Sequence, residues 1–360
     1  MPSHAPRHPG PLAGLKVVEV SSLGPGPFCA MLLADMGADI VRVDRAETVD
    51  YAGPVSPIMI PPEGIPLYRG RRSLAVDLKK PDGVATVRRL ARQADVLLEG
   101  YRPGVMEKLG LGPEPCLADN PRLVYGRVSG YGQGGPLANS PGHDINYIAL
   151  SGVLAMIGAD PDGPPVLPLS LAGDFGGAGM ALAVGVLCAL YERERSGQGQ
   201  VVDCSMVESS AYIATLFYGM LRTGHHLPRR GSNMVDGGAH FYNVYPTADG
   251  QWVAVAAVLP KFYDNFLKAL DLDPATLPDQ LDHTQWPAMK ARLTGIFRAH
   301  PLAYWNERLL NAEQCYSPVI GPLEAPDHPQ NRARESFVTV AGVPQPAPAP
   351  KLSRPPGWVN

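Results

Sequence analysis

Apolar residues fall into short runs and helical stretches that alternate along the first two hundred or so residues. GLKVVEV (14–20) reads as a buried strand, SSLGPGP (21–27) as a turn, and FCAMLLADMG (28–37) as a helix closed by Gly37. ADIVRVD (38–44) returns as a second strand. The alternation continues with SLAVDL (73–78) as strand, Asp82 to Gln93 as helix, ADVLLEGY (94–101) as strand, and PRLVYGRVSGYG (121–132) as strand and loop. Strands alternating with helices predict a parallel sheet covered on both faces, and such sheets hold ligands at the carboxyl ends of their strands. Glu99 to Pro103 and Ser129 to His143 follow strands and so belong to that rim.

Beyond GDFGG (173–177) comes AGMALAVGVLCALYERERSG, apolar nearly all round before it turns charged, which predicts a buried helix ending at Gly197. Asp174 is placed as its N-cap, with Arg193 and Arg195 near its negative end. QVVDCS (200–205) predicts a short strand, and Met206 to Thr223 a second long helix. From His240 the pattern becomes aromatic and alternating, so HFYNVYPTADGQWVAVAAV (240–258) reads as a hairpin across Asp249 and Gly250. Helices near 260–270 and 287–299 complete a smaller α+β unit. The Pro-rich tail VPQPAPAPKLSRPPG (343–357) is extended, either packed on a surface or mobile, and no internal repeat is present.

Composition narrows the functional classes. With 45% apolar and 18% charged residues and a net charge of -3, the 360-residue chain reads as a soluble globular protein with no electrostatic reason to bind nucleic acid or an anionic membrane. Its five cysteines are odd in number, scattered and free of any C-x-x-C, which argues against a disulfide framework or a zinc site and for a reducing, cytoplasmic setting. Residues 1–14 lack an apolar core of the signal-peptide kind, and the run Ala178 to Tyr191 is short for a bilayer span, so neither secretion nor membrane insertion is expected.

The first β-α-β unit superficially matches a dinucleotide-binding fingerprint, but Cys29 stands at the third glycine position. Pro25 and Pro27 also remove N–H groups that a pyrophosphate would need. Among candidate side chains, Asp144 and Asp174 both read first as helix caps. His143 stands just before the cap, on a turn at the strand rim, where it is either solvated or chemical. Arg45, Arg71, Arg72 and Arg102 read singly as solvated charges, yet their clustering near strand ends makes a phosphate site worth testing.

In chain order, LAGLKVVEV, LGPGP, MLLADMGADIVRVDR, EGYRPGV, GHDINY, GDFGG, ERERSGQGQVVD, MVDGGA and PAPKLSR resemble successive signature segments of the α-methylacyl-CoA racemase family, within the family III CoA-transferase superfamily. The resemblance runs from about Leu12 to Arg354, with GHDINY and GDFGG its most specific parts. It implies an α/β fold with a Rossmann-like large domain over 1–205 completed by 330–360. It further implies a helical linker over 206–234, a small α+β domain with return linker over 235–329, and two subunits interlocked as a homodimer. The implied substrate is an acyl-CoA thioester of fatty acid metabolism, with no cofactor or metal, coenzyme A entering as part of the substrate.

The chemistry implied is inversion of the α-carbon beside the thioester by two bases, His143 on the S face and Asp174 on the R face. Histidine has a reference pKa of ~6.5, whereas aspartate at ~3.9 must be raised by burial to serve, against the opposing helix N-terminus. Backbone N–H groups at the start of the helix after His143 would hold the enolate oxygen, with Asp144 both cap and oxyanion donor. Arg45, Arg71 and Arg72 match basic positions around the nucleotide phosphates, while Glu99 and Arg102 match EGYRPG near the active site. Two alternatives remain: a CoA-transferase of the same superfamily using Asp174 as nucleophile, and an acyl-CoA binding protein without turnover. One position departs from the pattern, because Leu259 stands where relatives carry a glutamate that orients the histidine. Glu99 and His240 are the candidates to replace it.

Overall fold

The computed structural model describes residues 10–45, 65–310 and 313–359; the first nine residues of the Pro/His-rich start lie outside this range. The described residues fall into two compact units. One is drawn from Met1–Ser151, Pro168–Ala214 and Ala333–Asn360, the other from Gly152–Leu167 and Thr215–Arg332. Residues 152–167 thus join the second unit, although the sequence places them in the large domain.

The first unit is built on β1 (Lys16–Val20), α1 (Pro25–Asp35), β2 (Asp39–Arg45), β3 (Arg71–Val76), α2 (Pro81–Ala91), β4 (Val96–Glu99), α3 (Val105–Lys108), α4 (Pro113–Asp119), β5 (Val124–Ser129) and α5 (Asp144–Leu150). After α6 (Val153–Met156) in the second unit, the chain returns through a π-helical stretch, Leu171–Gly179, into α7 (Met180–Ser196), β6 (Val201–Ser205) and α8 (Met206–Ile213). The strands form one sheet in the order β3-β2-β1-β4-β5-β6, with every neighbouring pair parallel. Its central strands are near-continuous apolar runs because both faces are covered. Cys29, Leu33, Leu182 and Val186 from α1 and α7 pack one face, and Val87, Ala91, Met106 and Leu111 pack the other. The order reverses between β1 and β4, and that crevice is where an open parallel sheet receives a ligand.

Helix α1 starts at Pro25, earlier than the periodicity suggests. Gly24, at φ 69°, turns the chain, and the proline's missing N–H and fixed φ suit a first turn. The predicted helix over 206–223 is two, α8 and α9 (Thr215–Thr223), broken at Ala214 where no glycine or proline signals it. The helical run Leu171–Ser196 is, by length and composition, apolar enough to cross a membrane, longer than the apolar run alone suggests. Its buried side is core of the sheet, whereas Met180, Val184, Leu187 and Tyr191 form an exposed apolar stripe.

The second unit holds a three-stranded antiparallel sheet of β7 (Tyr242–Pro246), β8 (Trp252–Ala256) and β9 (Tyr316–Pro318), paired in the order β7-β8-β9. It packs against α10 (Pro260–Ala269), α11 (Trp286–Phe297) and α12 (Leu302–Leu309) around Phe241, Tyr245, Phe266 and Phe297. The chain leaves through α13 (Pro329–Ala333) and returns to the first unit as the antiparallel pair β10 (Phe337–Val340) and β11 (Val343–Pro346). There the tail is packed: Arg69 bonds Gln345 Oε1 and the Pro346 carbonyl while pairing with Asp35, and the Trp358 N–H donates to the Asp35 carbonyl.

Two neighbouring arginines on β3 have opposite fates. Arg71 is fully inside, 3.0 Å from Glu19, and also donates to the carbonyls of Pro27 and Leu67. Burial pushes Glu19 up to about 7 against the pull of Arg71 and Arg42. Arg72 is half exposed and pairs with Asp39. Removing one partner of a buried pair strands the other charge, so Arg71→Ala is expected to lower the unfolding free energy by ~3–5 kcal/mol, against less than ~1 kcal/mol for Arg72→Ala. Urea denaturation of the two variants checks the contrast.

Candidate active site

A cavity of about 460 Å³ opens at the carboxyl ends of the first unit's strands. Its wall takes Ser21 to Pro25 after β1, Arg42 and Arg45 from β2, Gly100 to Pro103 after β4, and Ser129 to Tyr131 after β5. His143, Tyr147 and Asp174 also line it. The crevice predicted from strand order therefore contains both candidate bases.

Each polar residue of GHDINY has a separate task. His143, and not Asp144, is the N-cap of α5; it is exposed, its N–H donates to Asn146 Oδ1 at 3.0 Å, and its carbonyl accepts from the Asn146 N–H at 2.8 Å. The Tyr147 hydroxyl donates to the Gly142 carbonyl, and its ring stands edge-on to Tyr131 at 4.9 Å. Burial pushes the Tyr147 phenol up to about 12, so it stays a donor at any ordinary pH. A Cβ at Gly130 would come within 2.1 Å of that ring, and one at Gly142 within 2.8 Å. The loop before His143 is thus clamped by a tyrosine seated between two glycines.

Asp144 corrects the capping expectation. Its carboxylate turns away from its own helix, and Oδ1 accepts the N–H groups of Gly173 and Asp174, each at 2.8 Å. Asp174 does not cap an α-helix either. It lies inside the π-helical stretch, whose wide turns bring the Ala172 carbonyl within 2.5 Å of where a Cβ at Gly177 would stand. Such stretches are rare and recur at functional sites. Half-buried, Asp174 has its pKa pushed up to about 6 by burial and then by the neighbouring Asp144. A Cβ at Gly24 would stand 3.0 Å from its Oδ2, so this glycine keeps the carboxylate's approach clear.

The arginines sort by burial. Arg45 and Arg102 are exposed residues of the cavity wall, as the sequence suggests. Arg71 is not available to a ligand, because its guanidinium is enclosed by Glu19 and two carbonyls. Arg72 faces Asp39 and is no part of the cavity wall. In their place stands Arg42, which sequence reading passed over: it is buried, paired with Asp44, and stacked 4.3 Å from the centre of the Tyr68 ring. Its signal was the polar alternation within VRVDR, which points one face of an otherwise apolar strand at charge.

Glu99 is also reassigned. It is buried, and both oxygens are committed, Oε1 to Arg127 at 2.9 Å and Oε2 to the Tyr101 N–H at 2.7 Å. It braces the loop that carries Arg102 and is not the group that orients His143; burial pushes it up to about 7 against those two donors. The other candidate, His240, is a packed core histidine of the second unit, with Nε2 2.6 Å from the Tyr263 hydroxyl and its pKa pushed down to about 4 by burial and Lys290. Leu259 is the exposed N-cap of α10.

The model of CoA-transferase family III matches residues 12–359. The chain belongs to this family. Among its curated family III relatives, the α-methylacyl-CoA racemases of Mus musculus and Homo sapiens are 47% and 45% identical, covering 96% and 95% of this chain and 87% and 86% of their own length. A succinyl-CoA–D-citramalate CoA-transferase of Chloroflexus aurantiacus is 32% identical over 98% of this chain and 90% of its own. Among solved family III structures, a CaiB/BaiF family protein from Brucella suis superposes with a TM-score of 0.82 at 25% identity, over 98% of this chain and 94% of that one.

The Tyr147 clamp yields a paired test. Gly130→Ala forces a methyl group into the ring and is expected to cost ~1–3 kcal/mol by overpacking, whereas Gly134→Ala, with open space around its Cβ position, is expected to stay within ~0.5 kcal/mol. Thermal melts of the two variants measure the difference.

Proposed function

We propose that this family III protein is an isomerase that inverts the α-carbon of 2-methylacyl-CoA thioesters by a 1,1-proton transfer. The observation that carries the reading is the high identity to two curated racemases across nearly the whole chain, joined to the placing of His143 and Asp174 on one cavity. For the S epimer, neutral His143 takes the α-proton and the C–H electron pair moves into an enolate. Protonated Asp174 then returns a proton to the other face. The R epimer runs the same steps in reverse, with Asp174 as carboxylate and His143 as imidazolium. Peptide N–H groups of the first turn of α5, Asp144 foremost, are the donors for the enolate oxygen. Arg45 and Arg102 supply positive charge for the CoA phosphates, and Arg42, already paired with Asp44, lines the same wall. The route calls for no metal, flavin or nicotinamide, and coenzyme A enters only with the substrate.

An aspartate with a pKa near 6 suits both halves of this exchange far better than one at its usual value. The productive enzyme holds one proton between the two bases in either direction, so kcat/KM for the two epimers must share a single pH profile. Below about 6 Asp174 becomes protonated and can no longer take the α-proton of the R epimer, and the shared profile carries the same loss to the S epimer. Activity is therefore expected to fall, in both directions alike, as pH drops through about 6, and initial rates from each epimer check it.

The deciding experiment incubates a single epimer of a 2-methylacyl-CoA in deuterated water. Inversion with α-deuterium supports the racemase, acid-dependent CoA transfer supports the transferase alternative, and binding without exchange supports the third. Asp174→Ala is expected to cut interconversion by ~10²–10⁴-fold while leaving deuterium exchange at the S epimer, since His143 can still remove and restore its own proton. Equal loss of both would count against separate bases. Arg45→Ala and Arg102→Ala are expected to raise KM with kcat largely kept, the sign of lost uniform binding. We also propose a homodimer in which the exposed stripe of α7 is covered by a second copy, to be checked by sedimentation of a Val184→Asp variant.

A further inference from the structure

Asp144 is neither of the two bases, yet it is joined to both. Its backbone follows directly on His143 as the first residue of α5, and its carboxylate reaches across to the π-helical stretch, where Oδ1 accepts the N–H groups of Gly173 and Asp174 at 2.8 Å each. Two convergent bonds to successive N–H groups fix the position and tilt of the peptide between them, and with it the Cα of Asp174. Gly173 is required for this approach, since a Cβ there would stand 2.5 Å from Asp144 Oδ1. The other oxygen, Oδ2, is buried without a hydrogen-bond partner, and the whole residue is 3% exposed. A buried carboxylate oxygen left unpaired costs stability, and here it lies close to a second carboxylate. A residue kept only for packing would be apolar.

We infer that the Asp144 side chain is the positioning group of the site: it sets Asp174 against His143, so that the two bases lie on opposite faces of one carbon at a fixed spacing. This inference rests on the two-base reading above. Asp144 also contributes to the climb of Asp174, second to burial. Tyr147 of α5 also interacts electrostatically with Asp174, His143 shares the cavity wall with it, and Gly24, the residue before α1 whose Cβ position lies 3.0 Å from its Oδ2, brings no charge.

Two substitutions separate placement from charge. Asp144→Ala removes acceptor and charge; Asp144→Asn keeps an acceptor oxygen and removes the charge. With a single S epimer in deuterated water, the ratio of inversion to exchange with retention is expected to fall roughly 10²-fold in Asp144→Ala, because a base displaced by about 1 Å loses that much while His143 still serves its own face. Asp144→Asn should restore most of the ratio, and the acid limb of kcat/KM should move to lower pH. A wild-type ratio in Asp144→Ala, or proportional loss of both reactions with an unmoved acid limb in Asp144→Asn, overturns the inference.

If the wild-type protein exchanges no α-proton, the two-base reading fails and the inference is judged without turnover, by the carboxyl 13C titration of Asp174. A midpoint that falls in Asp144→Asn supports the contact, and an unchanged one overturns it. Should Asp144→Ala not fold, the isosteric asparagine variant decides alone by the same titration.

Discussion

A parallel sheet can be wound only by crossovers that cover its faces, and the reversal of strand order between β1 and β4 leaves one crevice that those crossovers do not fill. Everything at the candidate site follows from that constraint. The turns after β1, β4 and β5 must all end there, and the long helical run behind the sheet must begin beside it. Residues far apart in sequence, His143 and Asp174 among them, are delivered to one wall by topology alone.

Within the crevice, the electrostatics depend on where the peptide N–H groups point. A helix N-terminus aimed at Asp174 would hold its carboxyl acidic. The chain avoids this by starting the helical turns three residues earlier, at Leu171, and by giving the N–H groups of Gly173 and Asp174 to Asp144. The side chain of Asp174 is left with burial and a like charge, both of which raise it. The same logic separates the arginines: those enclosed with a carboxylate, such as Arg71, hold the sheet together, and those at its edge, such as Arg45 and Arg102, are placed to meet a ligand.

Hydrophobic periodicity determined the strands, the crossover helices, the second aromatic α+β unit and the rim on which a ligand would sit, because buried faces impose a period on any chain that forms them. The motifs GHDINY and GDFGG marked the two candidate bases. Element ends were less legible, since the break at Ala214 and the π-helical start at Leu171 depend on how neighbouring backbones pack and leave no composition signal of their own.

Only the tertiary structure decided what each charged residue does. Asp144 reads as a cap because aspartate before a helix usually is one, but its carboxylate answers N–H groups 29 and 30 residues away. Arg71 and Arg72 are adjacent and chemically identical in the sequence, yet the alternation of a strand sends one into the sheet's interior and the other toward solvent. Glu99 and His240 carry suitable chemistry and are already committed to Arg127 and Tyr263. A sequence lists which groups are available, whereas a hydrogen bond depends on direction and burial over about 3 Å, and those exist only once distant segments are packed.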